Sequence, residues 1–198
     1  MDAYNYQTRR YVLRPGVTAE EVDEFSLARD WELVREIARD RDAGVDGQLI
    51  WQGPSDVSLH YIVDAMSGVG YIVLAGQDEG SVAPFAREAV EHLDPWKLEE
   101  LFQAFDGADD ARSQAQNALR IGLAAGPEFD DGVFRRISDT YADEEPKVRY
   151  AGLWAATYTG YPQFVPPIAE VADNDQEEWV RSRAADILTA FESGDDTP

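Results

Sequence analysis

The feature that most constrains this chain is a spacing. Asp143, Val148, Arg149 and Gly152 recur thirty-two residues later as Asp175, Val180, Arg181 and Ala184. A weaker copy lies thirty-seven residues upstream, where Asp106, Ala111, Arg112 and Ala115 fall on the same four positions. Each copy follows an amphipathic run: Leu98, Leu101, Phe102 and Phe105, then Phe129, Val133, Phe134 and Ile137, then Phe164, Val165, Ile168 and Val171. A short helix, an acidic turn and a second helix recurring at this period predict stacked helical hairpins, since one hairpin alone cannot bury its apolar face.

Asp, four residues, a small aliphatic residue, Arg, two residues and then Ala or Gly is a pattern that resembles the HEAT repeat, over about residues 95–194. The resemblance implies an α-solenoid of about three hairpins in which turn aspartates and helix arginines bond to neighbouring repeats. It also implies an interaction scaffold, because members of this family mostly bind proteins and only occasionally nucleic acid.

The first half of the chain has another character. Tyr4 to Leu13 mixes Tyr, Arg and Val without a clear period, as an edge strand or ordered arm does. Thr18 followed by Glu21 is a reciprocal capping box, so a helix starts there. Leu27, Trp31, Val34 and Ile37 are spaced by three or four and predict a helix with one buried face, ended by Gly44 and Gly47. Gln48–Gln52, Val57–Asp64 and Gly70–Ala75 are rich in Ile, Val, Tyr and Trp. Their short connections favour antiparallel pairing, because a parallel crossover takes about a dozen residues or more. Ser81 to Leu93 then supplies a covering helix. The expected architecture is α+β: an N-terminal α/β cap with a small antiparallel sheet at 1–94, helical repeats at 95–194 and a frayed tail at 195–198.

Charge narrows the classes of function. Against 17 basic residues stand 39 acidic ones, a formal net charge of −22. Such a surface repels phosphate backbones, whose affinity for proteins comes largely from Lys and Arg releasing counterions, so direct nucleic-acid binding is disfavoured. A basic protein would instead be steered toward it at a salt-dependent rate. Solubility alone is the competing explanation of the charge. No apolar run reaches the ~18 to 20 residues of a membrane span, and the start lacks the apolar core of a signal peptide. Zero cysteines exclude disulfides and thiolate metal sites. A cytoplasmic protein without cofactors is expected.

Little in the chain nominates chemistry. His60 and His92 are the two histidines, and neither sits in an HxxxH or HExxH spacing. His60 alternates with Leu59 and Tyr61, so it is expected on the opposite sheet face. No GxSxG, phosphate loop or Walker lysine is present; Gly68 and Gly70 read as a turn. The acidic groups Asp106, Asp109, Asp110 and Asp143, Glu144, Glu145 fall in inter-helix turns, where capping is a commoner use of carboxylates than metal binding. The chain is read as non-catalytic.

Aligning the three second helices isolates one candidate surface. Val148, Ala151, Gly152, Ala155 and Thr159 form a small-residue face suited to close helix packing. Tyr150, Trp154 and Tyr158, spaced by four, form a separate aromatic stripe. Their equivalents are Ser113, Asn117 and Ile121 upstream and Ser182, Asp186 and Ala190 downstream, mostly polar or small. A face polar in both neighbours is expected to meet solvent in the middle helix too, unless the unequal repeats leave a gap that the stripe fills. Tyr161 and Trp179 are candidate extensions, and Asp143, Glu144 and Glu145 an acidic rim. The expected function is a protein-binding module for a basic partner, such as an immunity protein neutralising a toxin. Alternatives are an intracellular scaffold or regulatory subunit, or a nucleic-acid-processing enzyme using Arg112, Arg120, Arg135, Arg136, Arg149, Arg181 and Arg183.

Overall fold

The computed structural model describes residues 5–193, so Tyr4 and the expected tail lie outside the described residues. The architecture is α+β, and the chain divides into two compact units, 1–96 and 97–198. No helix among the described residues is long and apolar enough to cross a membrane.

In the first unit the arm is strand: β1 (Tyr6–Gln7) and β2 (Tyr11–Val12) both pair antiparallel with one neighbour. The helix α1 (Ala19–Leu27) opens on the expected box, with the Thr18 amide donating to Glu21 Oε2 at 2.8 Å and the Glu21 amide to Thr18 Oγ1 at 3.4 Å. The helix expected through Ile37 does not form. Two backbone amides, those of Arg29 and Trp31, fold back onto the Ser26 carbonyl, and Asp30 enters the left-handed region at φ 58°. Glu32–Ile37 is then strand β3. The apparent helical spacing of Leu27, Trp31, Val34 and Ile37 marks no common face, since Trp31 is buried while Leu27 and Val34 are more than half exposed. This strand stands at the edge of the sheet, is exposed from Glu32 to Glu36 and carries a bulge between Leu33 and Arg35, so no buried face imposes an alternation of period two.

The strands β4 (Gly47–Gln52), β5 (Ser58–Val63) and β6 (Gly70–Gly76) sit where the sequence placed them, and all pairings are antiparallel. The order across the sheet is β1, β6, β5, β4, β3, with β2 beside β6. Helix α2 (Glu79–Leu93), capped by Asp78, packs with α1 over one sheet face, where Phe25, Trp31, Trp51, Leu59, Ile72 and Leu74 form the core. The Trp51 indole N–H donates to Asp23 at 2.9 Å, tying β4, an interior strand beside the edge strand β3, to α1.

The second unit is helical: α3 (Leu98–Asp106), α4 (Ala111–Ala124), α5 (Asp131–Asp139), α6 (Pro146–Thr159), α7 (Val165–Asn174) and α8 (Glu178–Ser193). Sequence neighbours pack as pairs, α3 on α4, α5 on α6 and α7 on α8, and the second members also pack together, α4 on α6 and α6 on α8. The small-residue face of α6 is buried at Val148, Ala151, Gly152 and Ala155. At Gly122 of α4 an added Cβ would strike the Ala155 carbonyl oxygen and lie 2.9 Å from Ala155 Cα, so here the two helix backbones touch.

Turn acids are used in three ways. Asp110 and Asp130 are N-caps, accepting from the Ser113 and Val133 amides at 2.9 and 3.0 Å. Asp106 instead receives a two-pronged hydrogen bond from Arg136, and Asp175 one from Arg149 at 2.6 and 2.8 Å. Arg149 also donates to the carbonyls of Asp143 and Glu144, while Arg181 donates to the Asp175 carbonyl. At the upstream position Arg112 is exposed, so the weakest repeat copy places its arginine in solvent.

Candidate functional site

The aromatic stripe is a continuous ladder of rings along α6 and onto α8. Trp179 meets Tyr150 edge to face at 5.5 Å, Tyr150 meets Trp154 at 6.4 Å, and Trp154 meets Tyr158 edge-on at 6.4 Å. Spacing by four aligns three of these rings on one helix. The fourth joins because the first turns of α6 and α8 lie side by side, held by the Arg149–Asp175 pair. Trp179 is 42% exposed, whereas Tyr150, Trp154 and Tyr158 are half-buried. The expectation of a fully solvent-facing stripe fails for an identifiable reason. At the equivalent position of α4 the polar residue Asn117 is itself buried, donating to the Ala104 carbonyl at 2.8 Å and accepting from Arg120, so polarity there marked a satisfied interior group.

Tyr161 does not extend the ladder. It is 2% exposed, stacks on Phe164 and lies 5.5 Å from Phe129. Its hydroxyl donates to the carbonyls of Gly126 and Glu128 at 3.0 and 2.6 Å. Gly160, in the left-handed conformation at φ 65°, ends α6 and turns the chain so that Tyr161 points into this loop. Its place is structural. Trp179, by contrast, does lengthen the stripe.

The acids expected as a rim split between two roles. Asp143 accepts from the Glu145 amide at 2.8 Å, and Glu145 caps α6 through the Lys147 amide. Glu144 and Glu145 remain exposed, and Glu177 and Glu178 stand exposed beside Trp179, together with Ser182 around a shallow hollow. The N-terminal end of the ladder thus carries carboxylates from both turns. The hydrogen bonds from Arg149 hold the Asp175 carboxyl below the usual carboxylate range.

The sheet supplies a polar cluster that the residue-by-residue reading left unassembled. His60 lies on the face opposite Leu59, as expected, and there it contacts Ser58 Oγ at 2.8 Å through Nε2 and Gln48 at 3.3 Å through Nδ1. Ser58 and His60 are two apart on one strand, the spacing that shares a face, so the pair was legible in period two. Burial lowers the His60 pKa. Ser58 is 0% exposed, so its hydroxyl offers no approach to a substrate. His92 packs its ring 5.3 Å from Phe25. Among the described residues no three His, Asp or Glu converge as metal ligands.

No family model, curated protein or solved structure matches this chain.

Proposed function

We propose that this chain is a non-catalytic protein-binding module of stacked HEAT-like hairpins, which grips a basic protein partner on the ladder Trp179, Tyr150, Trp154 and Tyr158. The observation that carries the reading is Trp179, a large aromatic side chain left in solvent at the head of a packed aromatic row and beside exposed carboxylates. Partly exposed Trp and Tyr offer much apolar area at small entropic cost and dominate interface energetics. A cation placed over an indole face gains about 0.5–2 kcal/mol, and carboxylates at the edge add to it. The formal charge of −22 favours encounter with a basic surface. The hairpin reading draws on the Arg149–Asp175 bond, which joins the equivalent turns of successive copies. In its narrowest form the proposal is an immunity-type protein that neutralises a basic toxin; a regulated basic enzyme is the broader form.

The test is to recover tagged protein from its native cells at low and moderate salt, identify stoichiometric partners, and repeat the binding with purified components. A basic partner whose affinity falls as salt rises, and at least tenfold on Trp179→Ala, supports the proposal. A partner that binds Trp179→Ala and Tyr150→Ala as tightly as the wild type removes the ladder as the site.

A further inference from the structure

Strand β3 closes one end of the sheet with β4 as its only strand neighbour, and Glu32 to Glu36 are all exposed. The edge runs beyond Ile37. Ile37 lies opposite Gln48, and in the same register Asp40 bridges Val45, so the ladder passes through Ala38 and Arg39. Among the described residues six large hydrophobic side chains are exposed, and four of them, Leu27, Leu33, Val34 and Val45, lie on this strand or its flanks. An edge strand offers a row of unpaired backbone N–H and C=O groups, and apolar side chains left along it make it a template for another strand.

The order of residues says which strand fits. From Glu32 to Arg39 the chain reads Glu, Leu, Val, Arg, Glu, Ile, Ala, Arg. Turned end to end about the midpoint of Arg35 and Glu36, this stretch is its own complement. Glu32 falls opposite Arg39, Leu33 opposite Ala38, Val34 opposite Ile37 and Arg35 opposite Glu36. Opposite charges and apolar pairs facing across an antiparallel ladder stabilise it, and like charges face to face destabilise it. A slip of one residue sets Arg35 against its own copy, or Glu36 against its own, and slips of four keep the match over shorter stretches. Charges and a bulge, here between Leu33 and Arg35, are the devices by which edges resist chance pairing; in this order the charges favour a second copy at one register. Glu32, Arg35 and Glu36 enter no ion pair among the described residues. Arg39 donates to the Ala65 carbonyl at 2.6 Å and has donors to spare. With two acids and two bases the stretch is neutral in a chain of net charge −22, so copies meet there with little local repulsion.

We infer that β3 is a dimerisation edge, on which a second copy of the chain pairs antiparallel about the Arg35–Glu36 midpoint and the two sheets join into one. The contact is a short strand edge, at the small end of protein interfaces, and is expected to dissociate in the micromolar range. It lies in the first unit and does not rest on the aromatic ladder of α6 and α8.

Sedimentation velocity of the full chain over a concentration series tests it, at moderate salt so that repulsion between the two net charges is screened. The expected result is a reversible monomer–dimer equilibrium. Arg35→Glu and Glu36→Arg are each expected to weaken dimerisation at least tenfold, because each sets like charges face to face in both of the symmetry-related central pairs. Mixing the two variants in equal amounts is expected to restore the dimer, since each altered residue then meets its opposite. Arg135→Glu, the same charge change on an exposed residue of α5, leaves dimerisation as it is. Arg35 and Glu36 are exposed, so the fold survives both changes, which circular dichroism verifies. A chain that stays monomeric throughout, single variants that dimerise like the wild type, or a mixture no more dimeric than its components overturns the inference.

Discussion

Replacing Gly122 with Ala sets two well-characterised effects against each other, and the contact of α4 with α6 decides the sign. In a solvent-facing helix interior the change stabilises, because glycine lies about 0.8–1.0 kcal/mol below alanine in helix propensity. At Gly122 the new Cβ would collide with the Ala155 carbonyl oxygen and lie 2.9 Å from Ala155 Cα and 3.0 Å from its carbonyl carbon. Comfortable carbon contacts are about 3.5–4.0 Å, so roughly half an ångström or more must be opened. The obstructing atoms are backbone, so no side chain can rotate aside. The helices have to part along a seam that buries Ala118, Val148, Ala151 and Ala155. Overpacking costs about 1–3 kcal/mol in ordinary cores, and a rigid backbone obstacle belongs at or above the top of that range. With the propensity gain subtracted, Gly122→Ala is expected to destabilise by about 2 kcal/mol. Urea unfolding followed by the helical circular dichroism signal reads this as a lower midpoint at unchanged slope. Gly126→Ala is the control, since nothing lies within 4 Å of its Cβ position and its φ is ordinary; it is expected to be neutral or slightly stabilising. A Gly122→Ala protein as stable as the wild type, or more so, would refute the close approach of α4 and α6.

Two further outcomes follow from buried charge. The side chains of Arg149 and Asp175 are 8% and 3% exposed, so Asp175→Asn or Arg149→Met alone is expected to cost about 3–5 kcal/mol. The double variant should lose less than the sum of the singles, and additivity in a double-mutant cycle would show the pair to be uncoupled. Because Arg149 lowers the Asp175 pKa, this stabilisation is present above about pH 3.8 and is lost as pH falls through the lower folded value. For His60 the window differs: burial lowers its folded pKa beneath the ordinary 6.5, so the unfolded chain takes up the proton first and stability declines as pH falls below about 6.5. Urea midpoints between pH 7.5 and 5 should show that decline, and His60→Gln should reduce it; an unchanged slope in the variant would assign the titration elsewhere.

How much of this was legible in the residues depends on whether the relevant force acts locally. The capping box at Thr18 and Glu21, the strands β4 to β6, and the helices from Leu98 onward rest on caps, turns and short-range periodicity, and these appear in the structure within a few residues of their expected limits. The failure at Leu27–Ile37 came from the same source of evidence: the spacing of three and four runs across the end of α1, a turn and an exposed, bulged edge strand, where no single buried face sets a period. The aromatic ladder was half legible. Spacing by four on α6 gave Tyr150, Trp154 and Tyr158 a common side, but whether that side meets solvent was set by the neighbouring helices. Asn117 shows the limit, since a polar side chain bonded to a backbone carbonyl is as much an interior residue as a leucine. Tyr161 shows it again, because its hydroxyl is satisfied by carbonyls more than thirty residues away in sequence. Pairings over that distance are fixed by the packing of whole helices.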